Sequence, residues 1–183
     1  PAREATGGSV FQQMMVHAPT WRDLDWLRCH TRLPLLLKGV LRADDARQAV
    51  QSGVAGLIVS NHGGRTLDGA MATAHALPQV AQAAGEVPVL VDGGIRRGVD
   101  VLRAVALGAR AVLVGRPQVH ALAAGGPQGV AHMIRLLRDE LGIAMALAGF
   151  ASLDAATPDL LQGTAHDPCA EDKHAMGQAC GAE

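Results

Sequence analysis

Four short apolar runs punctuate the chain, each closed by polar or glycine-rich residues and followed by a stretch with helical spacing. The runs are Leu35–Lys38 (LLLK), Leu57–Asn61 (LIVSN), Val89–Asp92 (VLVD) and Ala111–Gly115 (AVLVG). They are continuously apolar rather than alternating, the pattern of parallel strands covered on both faces. Between them lie ADDARQAVQSG, ATAHALPQVAQAAG and GVDVLRAVALG. These helical stretches end at Gly53, Gly85 and Gly108, each suited to a left-handed cap. A last helix is predicted with Val130, Met133, Ile134, Leu137 and Leu141 along one stripe.

The flanks read differently. Residues 1–19 have weak periodicity and are expected to form a loop or the remnant of something larger. From Trp21 to about Cys29, WRDLDWLRC predicts a short helix with Trp21, Leu24 and Leu27 or Arg28 on one side. Thr20 is its N-cap, with Asp23 at the third position. Residues 152–183 lack periodicity and are rich in Gly, Pro, Asp and Ala, so a disordered tail is expected there. His166, Cys169, His174 and Cys180 in that tail match no structural zinc spacing, and no metal site is expected. The organisation is therefore 1–19, then one β/α unit set over 20–151, then the tail.

Serial β–α units imply a parallel sheet. A doubly wound sheet and a barrel both fit, and a small flavodoxin-like domain is the plainest alternative. A closed eight-unit barrel typically needs about 250 residues, so four units cannot close one within this chain. The chain opens on Pro1, and is expected to begin partway through a longer product.

Composition narrows the function classes. Of 183 residues, 49% are hydrophobic, enough to build a core, and the net charge is -1. That balance offers no electrostatic attraction for nucleic acid or an anionic membrane. There is no Tyr, and only two Trp and two Phe, so a base-stacking surface is not expected. No apolar run is long enough for a transmembrane segment, and no signal peptide is recognisable. Three cysteines without framework spacing fit a reduced, cytoplasmic setting.

The chemistry gathers at the C-terminal ends of the predicted strands, where α/β folds bind ligands. The first strand ends in Lys38-Gly39. Its ammonium either faces an electron-rich ring or snorkels at the rim. The second ends in Ser60-Asn61-His62-Gly63-Gly64-Arg65. An imidazole can take a proton near neutral pH, and a guanidinium three residues on offers a planar fork to a carboxylate. The two glycines allow a sharp turn and close approach of a ligand. A base beside a carboxylate clamp suits oxidation of a 2-hydroxy acid. The third strand ends in Asp92-Gly93-Gly94-Ile95-Arg96 and the fourth in Gly115-Arg116. Exposed amides, helix N-termini and two arginines there suit a phosphate.

The strings LPLLLKGV, GLIVSNHGGRTLDGA, PVLVDGGIRRGVDVLRAVALGARAVLVGRP and MIRLLRDELGIAMAL resemble the FMN-dependent α-hydroxy acid dehydrogenases and oxidases. The resemblance covers about residues 20–150. It implies strands five to eight, with their helices, of a (β/α)8 TIM barrel, and FMN as cofactor. It implies that Lys38 contacts the flavin N1–O2 edge, that Ser60 touches the flavin, that His62 is the base and that Arg65 binds the substrate carboxylate. Asp92, Gly93, Gly94, Ile95 and Arg96 would hold the ribityl chain and phosphate, with Gly115 and Arg116 completing the cup; His62, Gly63 and Arg65 would also border the cofactor. The family's substrate-contacting tyrosines and the aspartate that pairs with its histidine have no counterpart here, and Asp68 is not that partner. The expected function is FMN-dependent oxidation of a small L-2-hydroxy acid to a 2-oxo acid, as the catalytic half of a larger enzyme and within a homo-oligomer. The alternative is a truncated, inactive fragment that binds FMN or phosphate.

Overall fold

A computed structural model describes residues 9–161. Four strands, β1 (Leu36–Val40), β2 (Gly56–Val59), β3 (Val89–Asp92) and β4 (Ala111–Leu113), form one parallel sheet in the order β1-β2-β3-β4. Helices α3 (Ala43–Gln51), α4 (Thr73–Ala84) and α5 (Gly98–Ala106) connect consecutive strands. Two helices precede β1: α1 (Val10–Val16) and α2 (Trp21–His30). Helix α6 (Arg116–Leu147) follows β4 and is broken at Gly125 and Gly126.

Parallel pairing puts partnered residues on the same face of the sheet. Leu37, Leu57, Val59, Val89, Val91 and Val112 share one face, and α3, α4 and α5 cover it. Leu57 and Val59 are completely buried there, against Ala46, Ala49, Ala76, Leu77 and Val80. Small alanines let these helices lie close to the strands, so the core needs no aromatic filler. The other face carries Leu36, Lys38, Ile58, Leu90, Asp92, Ala111 and Leu113. No helix lies over it among the described residues, and Leu36 is 46% exposed.

The strand ends differ from the apolar runs for local reasons. β1 continues past Lys38 because the pairing slips at Gly39, whose φ is 100°. β2 stops at Val59, since Ser60 and Asn61 turn their side chains to the loop that follows. The helix-ending glycines, Gly53, Gly85 and Gly108, all have positive φ. Thr20 caps α2 as expected, its N–H and hydroxyl donating to Asp23 Oδ2 at 2.6 and 2.8 Å. Trp21 and Leu24 pack on the core, while Arg28 donates to the Ser52 carbonyl at 3.0 Å.

Three segments depart from expectation. Residues 10–16, predicted as loop, form α1. The final helix starts at Arg116, well before Val130, because Gly125, Gly126 and Pro127 mask its first part. On its stripe Val130, Met133, Leu137 and Leu141 are half-buried, but Ile134 is 59% exposed. Residues 153–155 and 158–160 form single 3-10 turns beside α5, and Asp154 pairs with Arg110 at 3.2 Å. The candidate ligands His166, Cys169, His174 and Cys180 lie outside the described residues. Among the described residues, no helix is long and apolar enough to cross a membrane.

The start of α5 is clamped onto α6. Glu140 Oε2 accepts the Gly98 N–H at 2.9 Å, and Glu140 Oε1 accepts from Arg97 Nη2 at 3.1 Å. A Cβ on Gly98 would overlap the backbone of Glu140 and Leu141. The Gly98 amide, then the Arg97 guanidinium, hold the Glu140 carboxyl below its ordinary value, and Glu140 in turn raises Arg97.

Gly98→Ala should lose about 1–3 kcal/mol of stability through overpacking, read by urea denaturation. A depressed carboxyl stabilises the fold above the ordinary glutamate range and loses that contribution as pH falls through its folded value. The melting temperature should therefore drop less steeply with acidification in Glu140→Gln than in the unaltered chain.

Candidate active site

The site is built where the strands end. Lys38, next to the Gly39 irregularity, projects from β1 across the sheet. Its Nζ lies 2.9 Å from Asp92 Oδ2 at the end of β3 and donates to Ser60 Oγ, just past β2, at 2.8 Å. Ser60 is 1% exposed, and its Oγ also accepts the His62 N–H at 3.1 Å. One ammonium thus ties three strand ends together. The second carboxylate oxygen, Asp92 Oδ1, is buried without a hydrogen-bond partner, the one such side-chain atom found among the described residues. An unsatisfied buried oxygen is costly, so this atom is a natural acceptor for a ligand hydroxyl.

After β2 the chain makes a 3-10 turn over His62–Gly64. His62 has φ 55°, the one non-glycine residue at positive φ among those described. Such strain persists only when the surroundings hold it. Asn61 Oδ1 accepts the Gly64 N–H at 3.1 Å, and Asn61 Nδ2 donates to the Met71 carbonyl at 3.2 Å. Arg116 Nη2, from the start of α6, donates to the Gly63 carbonyl at 3.1 Å. A side chain on Gly63 would crowd that guanidinium, since its Cβ would lie 3.3 Å from Arg116 Nη2. The His62 ring faces the open position above Gly39, 4.0 Å from where a Cβ would sit. Arg65 is exposed, with no hydrogen bond or ion pair among the described residues.

Gly93 and Gly94 follow β3 at φ 84° and 81°. Thr73 Oγ1 donates to the Gly93 carbonyl at 3.4 Å. Cβ atoms at Gly94 and Gly115 would meet nothing, so both turns border open space. The expectation that the α5 N-terminus itself attracts an anion needs correcting. Asp100 Oδ2 already accepts the Arg96 and Arg97 N–H groups, both at 3.0 Å, and Glu140 accepts that of Gly98. Two carboxylates satisfy and neutralise that helix end. An anion is left with the glycine turns, the start of α6, whose first turn carries no acidic residue, and the side chains of Arg96 and Arg116.

These groups border one cavity of about 810 Å³, within the usual range of roughly 300–1,000 Å³ for ligand sites. Lys38, His62, Gly63, Arg65, Asp92, Gly93, Gly94, Ile95, Arg96, Gly115 and Arg116 all line it. Ser60 does not; it is buried beneath Lys38, supporting the ammonium instead of facing the cavity. Four cations against a single carboxylate favour an anionic occupant. Sequence reasoning missed Leu113, Val114, Pro117 and His120 on the wall. His120 sits one helical turn beyond Arg116, a spacing that would have exposed it had a helix been predicted there.

A parallel β/α sheet with its chemistry at the strand ends defines a ligand-binding site of the (β/α)-barrel kind. The chain belongs to the FMN-dependent dehydrogenase family, which it matches over residues 1–163. It is 55% identical over 163 residues to an L-lactate oxidase of Alicycliphilus denitrificans, covering 88% of this chain and 45% of that protein. It is 58% identical over 135 residues to a peroxisomal (S)-2-hydroxy-acid oxidase of Oryza sativa subsp. japonica, covering 73% of this chain and 37% of the relative. Among solved structures, a mandelate oxidase with 3,3-difluoro-2-hydroxy-3-phenylpropionic acid superposes with a TM-score of 0.73 at 53% identity. That match covers 75% of this chain and 42% of the mandelate oxidase. A mandelate oxidase variant with an FMN adduct superposes equally well. The fold is thus part of a (β/α)8 barrel, and the chain spans less than half the length of these relatives.

The Lys38–Asp92 contact is open to a double-mutant cycle. With Lys38 38% exposed, Lys38→Met should cost about 1–2 kcal/mol, less than a fully buried pair because solvent screens the ions. Lys38→Met combined with Asp92→Asn should cost less than the two singles added, by urea denaturation.

Proposed function

We propose that this chain carries the FMN-binding and proton-abstracting part of an enzyme that oxidises a small L-2-hydroxy acid to a 2-oxo acid. The observation that carries this reading is the convergence of His62 and Arg65 on the same cation-rich cavity as the glycine turns of β3 and β4. The residues fit FMN. Asp92 Oδ1 lacks a partner that a ribityl hydroxyl would supply. Gly93, Gly94, Arg96, Gly115 and Arg116 would hold the phosphate, and Lys38 would face the ring. When bound, FMN accepts the two electrons that leave the substrate.

The protein's own groups do the rest. Arg65, without a partner among the described residues, pairs with the substrate carboxylate and fixes its orientation. His62 takes a proton from the substrate as general base. Its strained backbone, braced by Asn61 and Arg116, keeps the imidazole over the cavity without a large adjustment of the loop. Among the described residues the sheet has one uncovered face and two unpaired edges, β1 and β4, which supports activity within a larger barrel rather than in four units alone.

A second reading is FMN or phosphate binding without turnover. It is favoured by the His62 ring, which has no carboxylate partner among the described residues.

The visible spectrum of the purified protein, before and after anaerobic L-lactate, glycolate or mandelate, separates the two. Oxidation predicts a yellow protein bleached by at least one of these acids. His62→Gln should keep its flavin and bleach about 10²–10⁴-fold more slowly. Bleaching at an unchanged rate in His62→Gln would remove His62 from its role. A yellow protein that none of the acids bleaches would favour binding alone.

A further inference from the structure

The phosphate end of the cavity draws on two turns from different strands, and one element joins them. Arg116 opens α6, while Glu140 lies near its other end. Between them the helix breaks at Gly125 and Gly126, and its second part returns against the first. Gly129 lies so close to the Ala121 carbonyl that a Cβ there would overlap it. The two parts of α6 therefore meet without slack.

At the far end the contact with α5 is equally tight. Glu140 accepts from Arg97 and from the Gly98 N–H, and Gly98 has no room for a side chain. Arg97 follows Arg96 directly, and Asp100 holds the N–H groups of both. The Gly93–Arg96 turn is thus anchored on its downstream side to the helix whose first residue is Arg116. Glu140 also places a negative charge at the start of α5, which makes that helix end a poor competitor for an anion.

We propose that Glu140 is a positioning residue for the phosphate of the bound flavin, setting the Gly93–Arg96 turn at a fixed distance from Arg116. This rests on the FMN-binding reading above. Glu140 does not touch the ligand, because its carboxylate is engaged by Arg97 and Gly98. Its effect falls on the phosphate end and spares the end where Lys38 and His62 lie.

The test compares FMN with riboflavin, which lacks the phosphate, on the full chain by quenching of flavin fluorescence. Glu140→Ala should weaken FMN about tenfold and leave riboflavin within about twofold. Glu140→Gln should recover most of the loss, because its amide oxygen still accepts the Gly98 N–H. In the ligand-free chain, amide hydrogen exchange at Gly94–Gly98 should quicken in Glu140→Ala. Equal weakening of both flavins, which a merely structural role would give, overturns the proposal, and so does unchanged exchange. A preference for FMN left undiminished by Glu140→Ala overturns the proposal alone. An unaltered chain that binds FMN no better than riboflavin overturns the functional reading and the proposal together.

Discussion

The Lys38 ammonium, held between Asp92 and Ser60, is the interaction on which the site depends. It comes from β1, yet its partners end β3 and follow β2. A lysine at the end of an apolar strand needs compensation for its charge, and two other strands supply it. The same pair leaves Asp92 with one satisfied and one orphaned oxygen. The ammonium thus fixes the carboxylate by one oxygen and leaves the other buried without a partner. Ser60 completes the tie by accepting the His62 N–H, so the position of the imidazole's backbone is set by the group that neutralises Asp92.

A second layer of order comes from carboxylates that never face the cavity. Asp100 and Glu140 take the amides at the start of α5. In many α/β folds such amides would receive the anion themselves. Here those of α5 are used up, and what remains available is a pair of glycine turns and the start of α6, flanked by Arg96 and Arg116. Arg116 serves twice, since it also supports the Gly63 carbonyl and with it the turn that carries His62. One guanidinium therefore borders both the glycine turns and the loop that carries His62.

Much of this was legible in the sequence, and for identifiable reasons. Unbroken apolar runs mark parallel strands built for cover on both faces, although helices cover only one face of this sheet among the described residues, and β3 matched its run residue for residue. Glycines at Gly53, Gly85 and Gly108 marked the helix ends because those positions require positive φ. The eleven predicted residues on the cavity wall were found because they lie at the C-terminal ends of strands or in the turns that follow. What escaped was non-local or contradictory in local signal. Gly125, Gly126 and Pro127 conceal a helix that begins at Arg116, and with it His120. The weak pattern of residues 10–16 hides α1. Glu140 meets Gly98 across 42 positions, a contact that no spacing rule announces. Ser60 looked like a cavity residue because it sits at a strand end, but its side chain turns under Lys38.

The two ends of the cavity differ in how completely this chain builds them. At the end built by the glycine turns, the segment after β3 is braced: Gly93 by Thr73, Arg96 by Asp100, and the start of α5 by α6. At the other end, His62 and Arg65 are exposed, and the sheet beneath shows Leu36, Ala111 and parts of Ile58, Leu90 and Leu113. A carboxylate clamp gains strength only where water is excluded, and a general base needs its imidazole held in one orientation. Neither condition is met by four β–α units whose second face is uncovered among the described residues. Both are met if that face is closed, because covering it would dry Arg65 and bring further side chains over the His62 ring. The division is physical: a charged, hydrogen-bonded anion seat can be completed by local turns, whereas a desolvated reaction centre requires an enclosing surface.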